Sequence, residues 1–147
     1  MNEYILDTCI IIEIFHGNEK TKKWIEDNKD STMYISGWTI IELLKEKKSK
    51  LEMENCLKKI LQWKVLWNKP EFSDEIPDLI KEECHTKREN NGNIKGSAIF
   101  DVCIYSTSKS NGNVPIVTRD GDFKFSKDVE IINLQEDVLY KRNELTK

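Results

Sequence analysis

Apolar residues along this 147-residue chain fall into short runs that switch between a strand-like and a helix-like period. Residues 3–6 read as a short buried strand, and Cys9 to Phe15 carry the apolar run on into a helix that ends near Gly17-Asn18. Glu19 to Asn28 form a second helix with Trp24 and Ile25 facing inward, followed by a strand from Met33 to Ser36. Trp38 to Lys47 make a third helix, with Ile40, Ile41, Leu43 and Leu44 as its apolar stripe. Leu51 to Trp63 is the clearest amphipathic helix, placing Leu51, Cys56, Leu57, Ile60 and Leu61 opposite Glu52, Glu54, Lys58 and Lys59. Lys64 to Trp67 is a strand that Asn68-Lys69-Pro70 ends, and Ser73 caps a helix running to about Glu89. Gly96 to Ser108 is a helix stopped at Asn111-Gly112-Asn113; strands at Val114 to Val117 and Val129 to Ile132 and a terminal helix, Glu136 to Asn143, complete the chain.

Strands that alternate with helices predict an α/β fold with a central, mostly parallel sheet flanked by helices. The length fits one domain over residues 1–147, with a helical arm at about 45–93. In such folds ligands collect outside the carboxyl ends of the strands.

Composition narrows the class. Hydrophobic residues make up 38% and charged residues 33%, as in an ordinary globular protein, and no apolar run nears the roughly 20 residues that span a bilayer. The opening Met1-Asn2-Glu3-Tyr4 lacks the basic stretch of a signal peptide. The four cysteines are scattered without a CxxC pair, which predicts buried free thiols and a cytoplasmic protein. A net charge of −3 argues against a constitutive nucleic-acid binder. That sum changes locally if acids bind cations, and the positive charge is clumped at Lys45-Glu46-Lys47-Lys48-Ser49-Lys50 and Lys87-Arg88.

Four carboxylate-bearing segments carry the candidate chemistry: Tyr4 to Thr8, Ile35 to Leu44, Ala98 to Ile104 and Ile116 to Phe123. Each reads as a place where a strand hands over to a helix. An acid in apolar surroundings is expensive to keep ionised, so four in the same setting point to a shared cation. Carboxylate oxygens suit a hard metal such as Mg²⁺ or Mn²⁺. Bland uses compete with this reading. Asp7 and Asp101 also suit helix caps or buried ion pairs, Glu42 a solvated helix position, and Asp120-Gly121-Asp122 a turn. His16 beside Gly17 reads as a helix-end residue, and Trp63 and Trp67 as core or dimer surface rather than base-stacking platforms. Arg119 either contacts a phosphate or neutralises its neighbours.

With these residues the chain resembles the PIN-domain nucleases, especially the single-domain toxin ribonucleases of the VapC type. The matching pieces are Leu6-Asp7-Thr8-Cys9-Ile10-Ile11-Ile12, the segment from Ser36 to Glu42, Asp101 at the head of an apolar helical run, and Val117-Thr118-Arg119-Asp120-Gly121-Asp122-Phe123. The resemblance spans nearly the whole chain and implies a PIN-like three-layer fold. It also implies a metal-dependent endoribonuclease paired with an antitoxin that blocks its site. Asp7, Glu42, Asp101 and Asp120 carry over as the acidic quartet. Asp7 and Asp101 are then the first choices for direct ligands, Asp120 a direct or water-bridged ligand, and Glu42 a second-metal ligand or the group orienting the attacking water. Asp122 either shares the site or caps the short helix that Phe123 anchors, and Thr118 supports Asp7 or a metal-bound water. Val102-Cys103-Ile104 after Asp101, where the family favours small residues, and the bulky Trp38 depart from the pattern. Exposed aromatics fit a homodimer. The alternatives are a PIN-fold RNA-processing factor or a non-catalytic RNA-binding module. A receiver-like phosphoryl-transfer protein fits poorly, because Asp7 stands alone and no lysine directly follows Val117.

Overall fold

The computed structural model describes residues 2–70, 75–84, 92–93, 96–119, 121 and 123–135. Five strands form one sheet: β1 (Glu3–Leu6), β2 (Thr32–Ser36), β3 (Lys64–Leu66), β4 (Ile116–Thr118) and β5 (Ile131–Asn133). Their order is β3-β2-β1-β4-β5, and every pairing among the described residues is parallel, in keeping with the predicted mostly parallel sheet. The chain winds outward from β1 to β3, then crosses back to lay β4 on the other side of β1. The order therefore reverses between β1 and β4, where an open α/β sheet leaves a crevice at its carboxyl edge.

Side chains sort onto the two faces with the strand period of two. Leu6, Ile35, Val65, Val117 and Ile132 face one core, together with Ile10 and Ile11 of α1 (Thr8–Phe15), Leu43 of α3 (Gly37–Leu44) and Cys56 and Ile60 of α4 (Lys50–Ile60). Their neighbours Ile5, Tyr34, Leu66, Ile116 and Ile131 face the other, against Ile104 and Tyr105 of α6 (Gly96–Ser110). The sheet is thus the middle of three layers.

Helix starts follow local chemistry. Asp7, Asn18, Ser36 and Ser49 cap α1, α2 (Glu19–Asp27), α3 and α4, each side chain accepting a backbone N–H of the first turn. His16 ends α1, its N–H bonding back to Ile12, and Gly17 follows at φ +76°. Helix α3 stops at Leu44, three residues before the predicted end, because the chain must turn for Ser49 to cap α4. The helix predicted from Ser73 to Glu89 is described as α5 (Ile76–Leu79) followed by a π-helical segment, Ile80–Cys84; Ser73 and the stretch after Cys84 lie outside the described residues. Strand β4 begins after Pro115, which has no N–H for the ladder, rather than at Val114. Asp101 lies inside α6, as the helix predicted from Gly96 to Ser108 has it, but no strand hands over to its segment among the described residues. The predicted terminal helix is outside the described residues. All four cysteines are free thiols, and no described helix is long and apolar enough to cross a membrane.

Candidate active site

Asp7 sits at the β1 side of the crevice. Its backbone N–H donates to Val117 at 2.9 Å, so the residue is still pinned to the sheet while its side chain caps α1. It is 3% exposed. Oδ1 accepts the Thr8 N–H at 2.8 Å, and Oδ2 accepts the Thr118 hydroxyl at 2.8 Å and the Cys9 thiol at 3.3 Å. The positive end of α1 favours a carboxylate there.

Glu42 and Asp101 each occupy the sixth position of their helix, α3 and α6. Contacts along these helices run in opposite directions. Ser36 bonds Thr107 at 2.8 Å, the Glu42 charge acts on the Cys103 thiol, and the Lys45 ammonium lies 5.9 Å from the Phe100 ring centre. The helices are therefore antiparallel, and Asp101 falls between the partners of Glu42 and Lys45. At about 1.5 Å rise per residue, it stands only about 3 Å along the axis from the level of Glu42. Asp101 is buried and its Oδ2 is shielded from solvent, whereas Glu42 is half-buried. Burial pushes the Cys103 thiol up to about 11, with Cys84 and then Glu42 adding to the shift. The Asp7 corner joins the same seam, since Thr8 Oγ1 donates to Thr39 Oγ1 at 3.2 Å and Thr39 lies one turn before Glu42.

Asp120 and Asp122 lie outside the described residues. Among the described residues, no three His, Cys, Asp or Glu side chains are grouped closely enough to hold a metal ion by themselves.

Arg119 is committed elsewhere. Its Nε donates to the Glu13 carboxylate at 2.6 Å and a terminal nitrogen donates to Thr21 Oγ1 at 2.8 Å, while the Thr21 hydroxyl donates to Glu13. It thus neutralises Glu13, a partner 106 positions away in the chain, and ties the exit of β4 to α1 and α2. The pair is about one-fifth exposed and Thr21 is fully buried. Glu13→Ala should therefore lower stability by about 1–3 kcal/mol, because it strands a partly buried guanidinium. An unchanged urea midpoint would mean that water already satisfies the arginine.

The tryptophans divide. Trp63 packs into the first core with its ring 6.3 Å from Phe15. Trp67 is half exposed and meets Trp38 edge-on at 6.0 Å. Beneath them a polar network joins α3 to α6: Asn68 Oδ1 accepts from Trp38 Nε1 at 2.6 Å and from Thr107 Oγ1 at 2.9 Å, and its amide donates to Ser106. Sequence reasoning missed the Glu13–Thr21–Arg119 group, the Asn68 network and the contact of Cys9 with Asp7. Only Cys9 left a signal, being two residues from Asp7 at the start of a helix.

A parallel sheet with its order reversal beside buried Asp7 defines an α/β domain with a carboxylate at its strand ends. The chain belongs to the PIN-domain family, whose model matches residues 4–127. Solved structures of similar fold include VapBC2 from Rickettsia felis bound to a promoter DNA fragment, at TM-score 0.65 and 22% identity over 89% of this chain and 98% of that one. DNA-bound VapBC from Salmonella typhimurium matches at TM-score 0.65 and 18% identity, covering 91% and 99%. A toxin–antitoxin complex from Klebsiella pneumoniae matches at 0.62 and 16%, covering 89% and 97%. At these identities the likeness is one of fold. No curated protein sequence matches the chain.

Proposed function

We propose that this chain is a divalent-metal-dependent endoribonuclease and the toxin of a toxin–antitoxin pair. Asp7 carries the reading: a buried carboxylate at the reversal point of the sheet, with both oxygens held by donors from three different residues besides itself. Membership of the PIN family and the toxin–antitoxin neighbour support it.

The donors fit a hard cation, being carboxylate oxygens from Asp7 and Asp101 with Glu42 alongside and Asp120 next in the motif. Mg²⁺ suits such a set, since it keeps several waters and needs only one or two carboxylates plus a substrate phosphate. When bound, it supplies an acidified water and neutralises charge on the phosphoryl oxygens. The chain's own residues do the rest. Thr8, Thr118 and Cys9 fix the Asp7 carboxylate, and buried Asp101 presents a second acid from α6. Glu42, half-buried on α3, orients the attacking water or serves a second ion. Asp122 is a further candidate ligand. With Arg119 held by Glu13, contact with the RNA backbone passes to Lys45, Lys48 and Lys50, exposed just beyond Glu42. Exposed Ile41, Ile99 and Trp67 offer apolar surface for the antitoxin or for a homodimer, and the setting is the cytoplasm.

Two experiments test this. Millimolar Mn²⁺ or Mg²⁺ should raise the melting temperature by roughly 5 °C through preferential binding to the folded chain, and no shift would count against a preformed site. A mixed RNA pool should be cut while DNA of the same lengths stays intact; the opposite preference would reject RNA as the substrate.

A further inference from the structure

Cys9 lies where β1 and β4 end. Its Sγ is 3.3 Å from Asp7 Oδ2, 3.5 Å from Thr118 Oγ1 and 3.4 Å from the backbone nitrogen of Arg119. A proton inventory gives these contacts a direction. The Arg119 N–H donates to the sulfur. The Thr118 hydroxyl spends its proton on Asp7 Oδ2. The single thiol proton then has two acceptors in reach, Asp7 Oδ2 directly or the Thr118 oxygen, and both routes end on the same carboxylate oxygen. Asp7 is thereby clamped from two sides, with Oδ1 held by α1 through Thr8 and Oδ2 held by the end of β4 through Thr118 and Cys9.

We infer that Cys9 is a positioning residue for Asp7, transmitting the placement of the β4 exit to the carboxylate that faces the crevice. The inference rests on the metal-site reading of Asp7. It makes a hydrogen-bonding side chain, rather than sulfur as such, the requirement at this position. A serine retains a donor and an acceptor with a shorter reach. A valine keeps the bulk and loses both, and groups that orient metal-binding carboxylates typically matter by about tenfold or more in affinity or rate.

The test uses the full chain as wild type, Cys9→Ser and Cys9→Val, with two readouts: Mn²⁺ affinity from the free-ion electron paramagnetic resonance signal, and kcat and KM on the mixed RNA pool. Cys9→Val should weaken Mn²⁺ binding roughly tenfold and lower kcat at unchanged KM, while Cys9→Ser stays within about threefold of wild type. Wild-type Mn²⁺ affinity and kcat in Cys9→Val would overturn the inference, as would an equal loss in Cys9→Ser and Cys9→Val, which marks a packing role. If Cys9→Val does not fold, Cys9→Ala, which empties the site without adding a branch, is held to the same criteria. A wild-type chain that neither binds Mn²⁺ nor cuts RNA removes the metal-site reading itself. Binding and cutting that survive Cys9→Val unchanged remove only the role of Cys9.

Discussion

Asp7→Asn should abolish metal-dependent cleavage, by about a thousandfold or more, and leave the fold standing. On the proposed reading, losing the carboxylate removes a negative ligand at the reversal point of the sheet. A bound metal contributes several kcal/mol to stabilising the transition state, each ~1.4 kcal/mol being a factor of ten in rate. The structural roles of Asp7 are largely kept by asparagine. The Oδ1 cap on the Thr8 N–H survives, since asparagine caps helices as well as aspartate does. The amide nitrogen cannot accept from Thr118 or Cys9, but the Thr118 hydroxyl can rotate to accept from it. Relief of repulsion among neighbouring acids works in the stabilising direction. Stability in metal-free buffer should therefore change by less than about 1 kcal/mol, in either direction. A variant with full activity would rule out Asp7 as an essential ligand.

Gly37→Ala should lower stability by about 1–3 kcal/mol, a large effect for one methyl group. A Cβ at this buried position would lie 2.3 Å from three atoms of the Trp67 indole, which lies directly over the first residue of α3. The ring cannot simply yield, because its edge-on contact with Trp38 would be lost and the Trp67 carbonyl is held by the Asn111 side chain. Trp67 is half exposed, so outward rotation limits the loss to those contacts and the cost stays within the ordinary range for overpacking. Any shift of α3 that accommodates the methyl also moves Glu42 along α6, so activity should fall with stability. Urea denaturation gives the first number; an unchanged midpoint would show that Trp67 moves at no cost.

These two positions illustrate what could be read from the chain. The Asp7 site is local and legible: a short apolar strand, an acid, then an apolar helical run announce a cap at a strand end. The role of Thr118 is nearly as legible, since a parallel sheet that reverses its order brings the ends of β1 and β4 together. The need for Gly37 is not, because it comes from a tryptophan at the exit of β3, 30 residues away. The helix around Asp101 was legible, but the strand handover expected there was not borne out, because apolar residues flanking an acid look the same inside a helix as where a strand meets one. It takes tertiary contacts such as Ser36–Thr107 and Lys45–Phe100 to show that α6 runs back along α3 and brings Asp101 near Glu42. The break between α3 and α4 was legible, but the surrounding lysines, which suit a helix end and a helix middle equally, hid that α3 stops at Leu44 rather than Lys47. Glu13 looks like ordinary surface charge, and Arg119 like a partner for a phosphate or its sequence neighbours, until the fold pairs them.

The central claim is that the carboxylates at this corner hold a divalent ion that cuts RNA. It is tested most directly by incubating the purified chain with a mixed RNA pool in Mn²⁺, in EDTA, and in EDTA followed by excess Mn²⁺. Cutting in Mn²⁺ that stops in EDTA and returns with the metal is the expected result. Equal cutting in EDTA would contradict it. So would an absence of cutting together with no effect of metal on the melting temperature, which would leave a PIN fold that binds RNA without cleaving it.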